Sequence, residues 1–140
     1  MATAPQFVTT QNAGTPGSLS AANTATDGTG ATGRLLLFTA GASGSLLPSI
    51  RFMHLGTNVA TLCRVFLNNG SDPATPGNNT LIGEKAIAAN TVSQTAESIQ
   101  YDLELNLIMK GGGSPARIYV TLATAVATAI QITPINGGDF

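Results

Sequence analysis

An all-β fold, a two-sheet sandwich or jelly roll of about eight strands behind an extended N-terminal arm, is the class this sequence predicts. Two observations carry it. Tyr101, Leu103, Leu105 and Leu107 are apolar while Asp102, Glu104 and Asn106 between them are polar, the period of two that lets a strand bury one face and wet the other. Weaker runs of the same kind recur along the chain, separated by clusters of Gly, Pro, Asn and Ser at the short spacing of sandwich strands.

Taken in order, the elements begin with an arm. Residues 2–33 are built mainly from Thr, Ala, Gly, Ser, Asn and Pro, with Phe7, Val8 and Leu19 as the only large apolar side chains. Such a stretch buries too little surface to offset an ordering cost of roughly 1–2 kcal/mol per residue. Residues 1–33 therefore read as an extended or flexible arm with one short strand near 7–10. The arm either orders on a neighbouring subunit, hangs as a loose terminus, or lies as a long loop over the protein's own sheet. Residues 34–140 read as the β-sandwich domain.

Within that domain strands are expected at 34–39, 46–55, 60–67, 80–88, 91–98, 99–107, 117–123 and 127–135. Gly41 to Gly44, Gly56 to Asn58, the long 68–79 loop, Ala89-Asn90 and Gly111 to Gly113 separate them. Asn69-Gly70 and Pro76-Gly77 are turn dipeptides, because Asn and Gly tolerate positive φ and Pro pre-sets φ near −65°. Pro48 and Pro134 lack a ladder donor and belong at an edge, a bulge or a strand end. A helix competes at 121–128, where Ala recurs, but the β-branched residues there favour a strand. The apolar faces nominate an aliphatic core of Leu35, Leu37, Ile50, Phe52, Val65, Leu67, Ile87, Ile99, Leu103, Leu105, Ile118, Val120, Leu122, Ile130 and Ile132.

Composition narrows the function classes. Charged residues are 9 % of the 140 and the net charge is −1, against roughly 25 % charged in ordinary domains. Nothing here attracts nucleic acid or an anionic membrane, and lightly charged sheet edges tend to pair with something. The one cysteine, Cys63, rules out an internal disulfide and a cysteine zinc cluster; inside an apolar strand it reads as inert core. Met1 to Gln6 has neither the basic nor the apolar region of a signal peptide, and no apolar run approaches the roughly 20 residues that span a bilayer. The expectation is synthesis and retention in a cytoplasm.

The residues that could carry chemistry are few. Gly28-Thr29-Gly30-Ala31-Thr32-Gly33 matches the dinucleotide-binding spacing, but that motif needs a strand before it and a helix after it. A glycine-rich hinge is the better reading. His54, the only histidine, shares its strand face with Ile50 and Phe52 and reads as structural rather than as a general base. Asp102 and Glu104 share a polar strand face; half a glycosidase pair or a calcium site would need further carboxylates. The 68–72 loop offers oxygen ligands for a weakly held cation. The expectation is no enzyme, no catalytic residue, no metal and no cofactor.

Residues Phe52 to Thr61, Arg64 to Gly70, Glu84-Lys85 followed by Ala88 to Thr91, and Tyr101-Asp102-Leu103 resemble small virion proteins of tailed bacteriophages. The chain is similar, from about residue 34 onward, to the auxiliary or cement proteins that decorate a capsid. The resemblance implies a jelly-roll-like sandwich on the outer capsid surface of the virion, made in the host cytoplasm. It implies binding to the phage major capsid protein as a homodimer or a trimer, with no nucleic-acid or membrane partner. Candidate contact residues are Phe7 and Val8 in the arm, Asn69, Asp72 and Asn78 in the long loop, and the terminal Phe140. Rival readings are a carbohydrate-binding or tail-fibre adhesin module and a head–tail or tail structural subunit.

Overall fold

A computed structural model describes residues 7–140 of the chain. The reading of residues 1–6 as a start without a signal peptide, and their share of the arm, lie outside the described residues. Ten strands form two antiparallel sheets: β1 (Thr10–Gln11), β2 (Gly17–Leu19), β3 (Arg34–Thr39), β4 (Ser45–His54), β5 (Thr61–Asn68), β6 (Asn79–Ile87), β7 (Tyr101–Met109), β8 (Arg117–Leu122), β9 (Ile130–Ile135) and β10 (Gly138–Asp139). A single 3₁₀ turn, Pro76–Asn78, leads into β6. Among the described residues no helix is long and apolar enough to cross a membrane.

The pairing is nested. β5 pairs with β6, β4 with β7, β3 with β8 and β2 with β9, all antiparallel. The eight strands thus form one long hairpin whose tip is the β5–β6 loop. Rolling that hairpin places β7-β4-β9-β2 in one sheet and β3-β8-β5-β6 in the other, which is the jelly-roll arrangement. β1 and β10 extend the first sheet beside the opening residues of β4.

The jelly roll therefore begins at Gly17, and the expected boundary at residue 33 falls inside it. Of the three alternatives for the arm, residues 9–33 take the third and pack on the chain's own sheets. Backbone pairing supplies what their side chains cannot: β2 pairs with β9 over three residues, and Leu19 enters the core. The expected strand at 7–10 is reduced to Thr10–Gln11.

The glycines of the dinucleotide-like run allow close packing instead of hinging. Gly28, at φ +77°, rests against the Phe66 ring. Arg34 donates to the carbonyls of Gly28 and Thr29 at 3.2 and 2.9 Å, and the Asn23 amide donates to Gly30 O at 2.8 Å. β3, not a helix, follows.

Seven of the eight expected strands form. The exception is 91–98, where Val92 is the only large apolar side chain, so a strand would have no face to bury. That segment is an exposed loop held by the Asn58–Asn90 bridge and by Val92 N–H donating to Thr57 Oγ1 at 3.2 Å. Ile99 belongs to the same loop and is 56 % exposed, which removes it from the expected core. At 121–128 neither a helix nor a continuous strand forms; β8 ends at Leu122 and β9 starts at Ile130.

Ten of the other nominated residues are buried, and Leu35, Leu67, Leu103 and Leu105 pack around the rim. Pro48 sits at a register shift in the β4–β7 ladder, where β4 also exchanges β10 for β9 as its neighbour. The missing donor is absorbed there by the irregularity.

Phe66 and Tyr119 are also buried, at 1 % and 8 % exposure, yet lie outside the central cluster. They occupy the outer face of the four-stranded sheet. Residues 20–33 cover that face, and the Arg34 guanidinium stacks over the Tyr119 ring at 5.0 Å.

Candidate interaction surface

Strand polarity collects one set of connections at one end of the sandwich. β3, β5 and β7 finish there and β4, β6 and β8 start there, so the loops 40–44, 69–78 and 110–116 lie together. β1 and β10 join the same end through the first residues of β4. All six sequence-nominated contact residues are found here, in two groups.

Asn69, Asp72 and Asn78 share the loop between β5 and β6. Asn69 N–H donates to Asn78 O at 3.0 Å, and the Asn69 amide donates to Asn78 Oδ1 at 3.1 Å. Asn78 Nδ2 donates to Asp72 O at 2.9 Å, and the Asp72 carboxylate accepts from Ala74 N–H at 3.0 Å. Ser71 N–H donates to Asn69 Oδ1 at 3.0 Å. These asparagines use their hydrogen-bonding groups to fix the loop's shape, as Asx turns do. Of the oxygens suggested for a cation, Asn68 Oδ1, Asn69 Oδ1 and one Asp72 carboxylate oxygen accept from the loop's own backbone N–H groups.

Phe7, Val8 and Phe140 form the second group. Phe7 is 72 % exposed and Val8 about half exposed; Phe140 is half-buried, its N–H donating to Gly44 O at 3.1 Å. Val8 lies against Gly138, where a side chain would collide with it. Asp139 holds the two termini together. Its carboxylate accepts from Asn12 Nδ2 at 2.8 Å and from Ser45 Oγ, and Thr9 N–H donates to Asp139 O at 2.8 Å.

Sequence reasoning missed Ile108 and the cleft it borders. Ile108 is 72 % exposed, opposite Leu46 on the outer face. Its signal was legible: it is apolar at a position where the 101–107 alternation calls for a polar residue. The alternation continues past the irregularity at Asn106 (φ +48°), so Leu107 and Met109 face inward and Ile108 faces out. Between Ile108–Lys110 and the end of the β5–β6 hairpin opens a cleft of about 340 Å³. Leu67, Met109 and Ala116 line it, and Asn69, Asn78 and Lys110 stand around it.

No family model, curated protein or solved structure matches this chain. Its function is therefore read from its own residues.

The side chains that invited chemical readings have structural partners. His54 is buried at the opposite end, with Nε2 3.0 Å from Ala88 O and Nδ1 3.2 Å from the Asn58 amide. A carbonyl can only accept, so Nε2 carries the proton and Nδ1 accepts. Asn58 Oδ1 in turn accepts from Thr128 N–H at 2.6 Å, which ties three loops to the end of β4. Cys63 lies in the core, where burial pushes its thiol up to about 12; at neutral pH it is not a nucleophile. Asp102 is bound by Arg51 through two contacts of 2.8 and 3.1 Å. That guanidinium holds its carboxyl below the usual carboxylate range. Among the described residues no three His, Cys, Asp or Glu side chains are grouped to hold a metal ion.

Proposed function

We propose that this chain is a non-enzymatic structural protein that binds the outside of a tailed-phage capsid and stabilises the shell by bridging major capsid protein subunits. One observation carries the reading: the end that bears the 40–44, 69–78 and 110–116 loops exposes the apolar side chains of Phe7, Val8 and Ile108 beside an ordered asparagine loop. Clustered exposed apolar side chains rimmed by polar groups mark protein-binding surfaces. The phage-like phrases in the sequence supply the identity of the partner. A decoration subunit works by multivalency: an oligomer touching two or more capsid subunits adds weak contacts through effective concentration. In this reading the protein is made in the host cytoplasm and resides on the outer surface of the virion.

Co-sedimentation with assembled phage heads that lack the protein tests the proposal. Saturable binding at one fixed stoichiometry per capsomer junction is the expected result, and binding that never saturates would remove it. The carbohydrate-binding alternative draws on the amide-rimmed cleft, but sugar sites rely on exposed aromatic platforms. Here Tyr119 is buried and Tyr101 is half-buried against His54. Glycan-array binding by the purified chain would favour that alternative.

A further inference from the structure

We infer that His54 is a proton-operated lock on the end of the sandwich opposite the candidate surface. Its neutral ring holds the loops 55–60, 88–100 and 123–129 together, and a second ring proton releases them. The inference goes beyond the function proposed above and does not depend on what the other end binds.

The lock is built on backbone groups whose roles are fixed. Ala88 O can only accept, so Nε2 of His54 carries the ring proton. Thr128 N–H can only donate, and it lies 2.6 Å from Asn58 Oδ1. The other half of that amide, Nδ2, therefore faces His54 Nδ1 at 3.2 Å, and Nδ1 is required as an acceptor. Asn58 also exchanges two backbone hydrogen bonds with Asn90, both of 2.9 Å. One buried pair, His54 at 6 % and Asn58 at 4 % exposure, thus links all three loops to the end of β4.

A proton on Nδ1 has no place in this arrangement. It sets one N–H against the Asn58 NH2 group, donor against donor. Turning the amide over supplies an oxygen to Nδ1 but aims the NH2 group at Thr128 N–H. Turning the ring instead takes the Nε2 proton away from Ala88 O. Each rearrangement leaves a buried donor unmet, which is the costly outcome for a polar group out of water.

The surrounding groups do not offset the added charge. Apart from His54, residues 52–63, 86–96 and 118–138 contain no charged side chain. From β7, Tyr101 presents its ring edge-on at 6.4 Å, and its hydroxyl accepts from Ala88 N–H at 3.2 Å. Asp102 is held by Arg51 and Glu84 by Arg64. Glu97 is exposed in the 88–100 loop, and Lys85 on β6 is itself a cation. Cys63, with its thiol pushed up to about 12, is neutral.

The closed end accommodates the neutral ring, so the lock holds at neutral pH and is lost as pH falls through the range in which imidazoles titrate. Asn58 is also a wall of a cavity of about 380 Å³ that it shares with Thr57, Val59, Ala89 and Ala127, so release reshapes that surface. Two bonds bypass His54: Leu55 N–H to Ala129 O at 3.0 Å and Thr61 Oγ1 to Thr124 O at 2.9 Å. They keep the loops attached, and the release is local.

NMR of the full chain is the test, and His54, the only histidine, gives an unambiguous ring signal. At about pH 8 its nitrogens should report the Nε2–H tautomer. Between about pH 8 and pH 5, the protection factor of Thr128 N–H, corrected for intrinsic exchange at each pH, should fall roughly tenfold or more as the ring gains its proton. Ala123 N–H, bonded to Leu62 O, should keep its protection. Asn58→Asp should reverse the dependence, because its carboxylate accepts from Thr128 N–H and from a protonated Nδ1 alike. Support is then present at the lower pH and lost as pH rises. His54→Gln should abolish the dependence. An Nδ1–H tautomer, a ring that titrates while Thr128 stays protected, or a ring still neutral at about pH 5 would overturn the lock. So would the same pH dependence in wild type and His54→Gln. The wild-type readings decide the outcome even if neither variant folds.

Discussion

On the outer face of the four-stranded sheet, Phe66 and Tyr119 are buried beneath residues 20–33. On the outer face of the six-stranded sheet, Glu104 and Gln131 are exposed and the Arg51–Asp102 pair meets solvent. Both faces belong to one jelly roll, yet only one has been given a second layer of packing. The covering segment has no large apolar side chain. It succeeds because Gly28 lets backbone approach the Phe66 ring, and because Arg34 joins that backbone to Tyr119 from below. A face can thus be closed by small residues and carbonyls around a few aromatics, without an amphipathic pattern in the segment that closes it. The bare face is left to the Arg51–Asp102 surface ion pair, and such pairs are screened and worth little.

Substitutions on the two faces should therefore differ in consequence. The largest effect is expected at Phe66, where truncation to Ala should destabilise by about 3–5 kcal/mol; urea unfolding measures it. A loss near zero would mean that residues 20–33 do not pack as described. Next is Arg34→Ala, which abandons the carbonyls of Gly28 and Thr29 and the Tyr119 ring, for a cost of about 1.5–3 kcal/mol. Its amide exchange should also speed up selectively in residues 20–33, and uniform exchange across the chain would contradict the latch. A smaller effect of opposite sign is expected at Thr121. Its hydroxyl is buried on the covered face without a hydrogen-bond partner, so Thr121→Val should stabilise by about 1 kcal/mol.

The smallest effect belongs to the bare face. Arg51 lowers the Asp102 carboxyl through its hydrogen bonds, so the pair supports the fold above the ordinary carboxylate value of 3.8. That support is lost as pH falls through the lowered folded value. Wild type should lose slightly more stability than Asp102→Asn on acidification below about pH 4. Equal losses would show that the pair contributes nothing.

The same contrast explains what was legible in the sequence. The Tyr101 to Leu107 alternation announces β7 because one face of that strand is core and the other is solvent. Phe66 and Tyr119 defeat that logic. They sit on the outward phase of their strands, and the segment that buries them is remote in the chain and carries no apolar signature. β2 was hidden for a related reason: it is three residues long, with Leu19 its only large side chain, and it is defined by pairing with β9.

At the candidate surface the turn chemistry of Asn69-Gly70 and Pro76-Gly77 correctly marked a structured loop. What it could not convey is that Asn69 and Asn78 turn inward on each other, so they shape the surface more than they offer contacts. Ile108 was the reverse case, an apolar residue on the outward phase of the β7 alternation and therefore exposed to solvent.

The central claim is that the loop-bearing end, with Ile108 on it, is what grips a capsid. Its most direct test is the affinity for phage heads of wild type, Ile108→Asp and, as a control on the bare face, Arg51→Ala. The account predicts that Ile108→Asp weakens binding at least tenfold while Arg51→Ala binds like wild type. Equal binding by all three, or loss in Arg51→Ala alone, would contradict it.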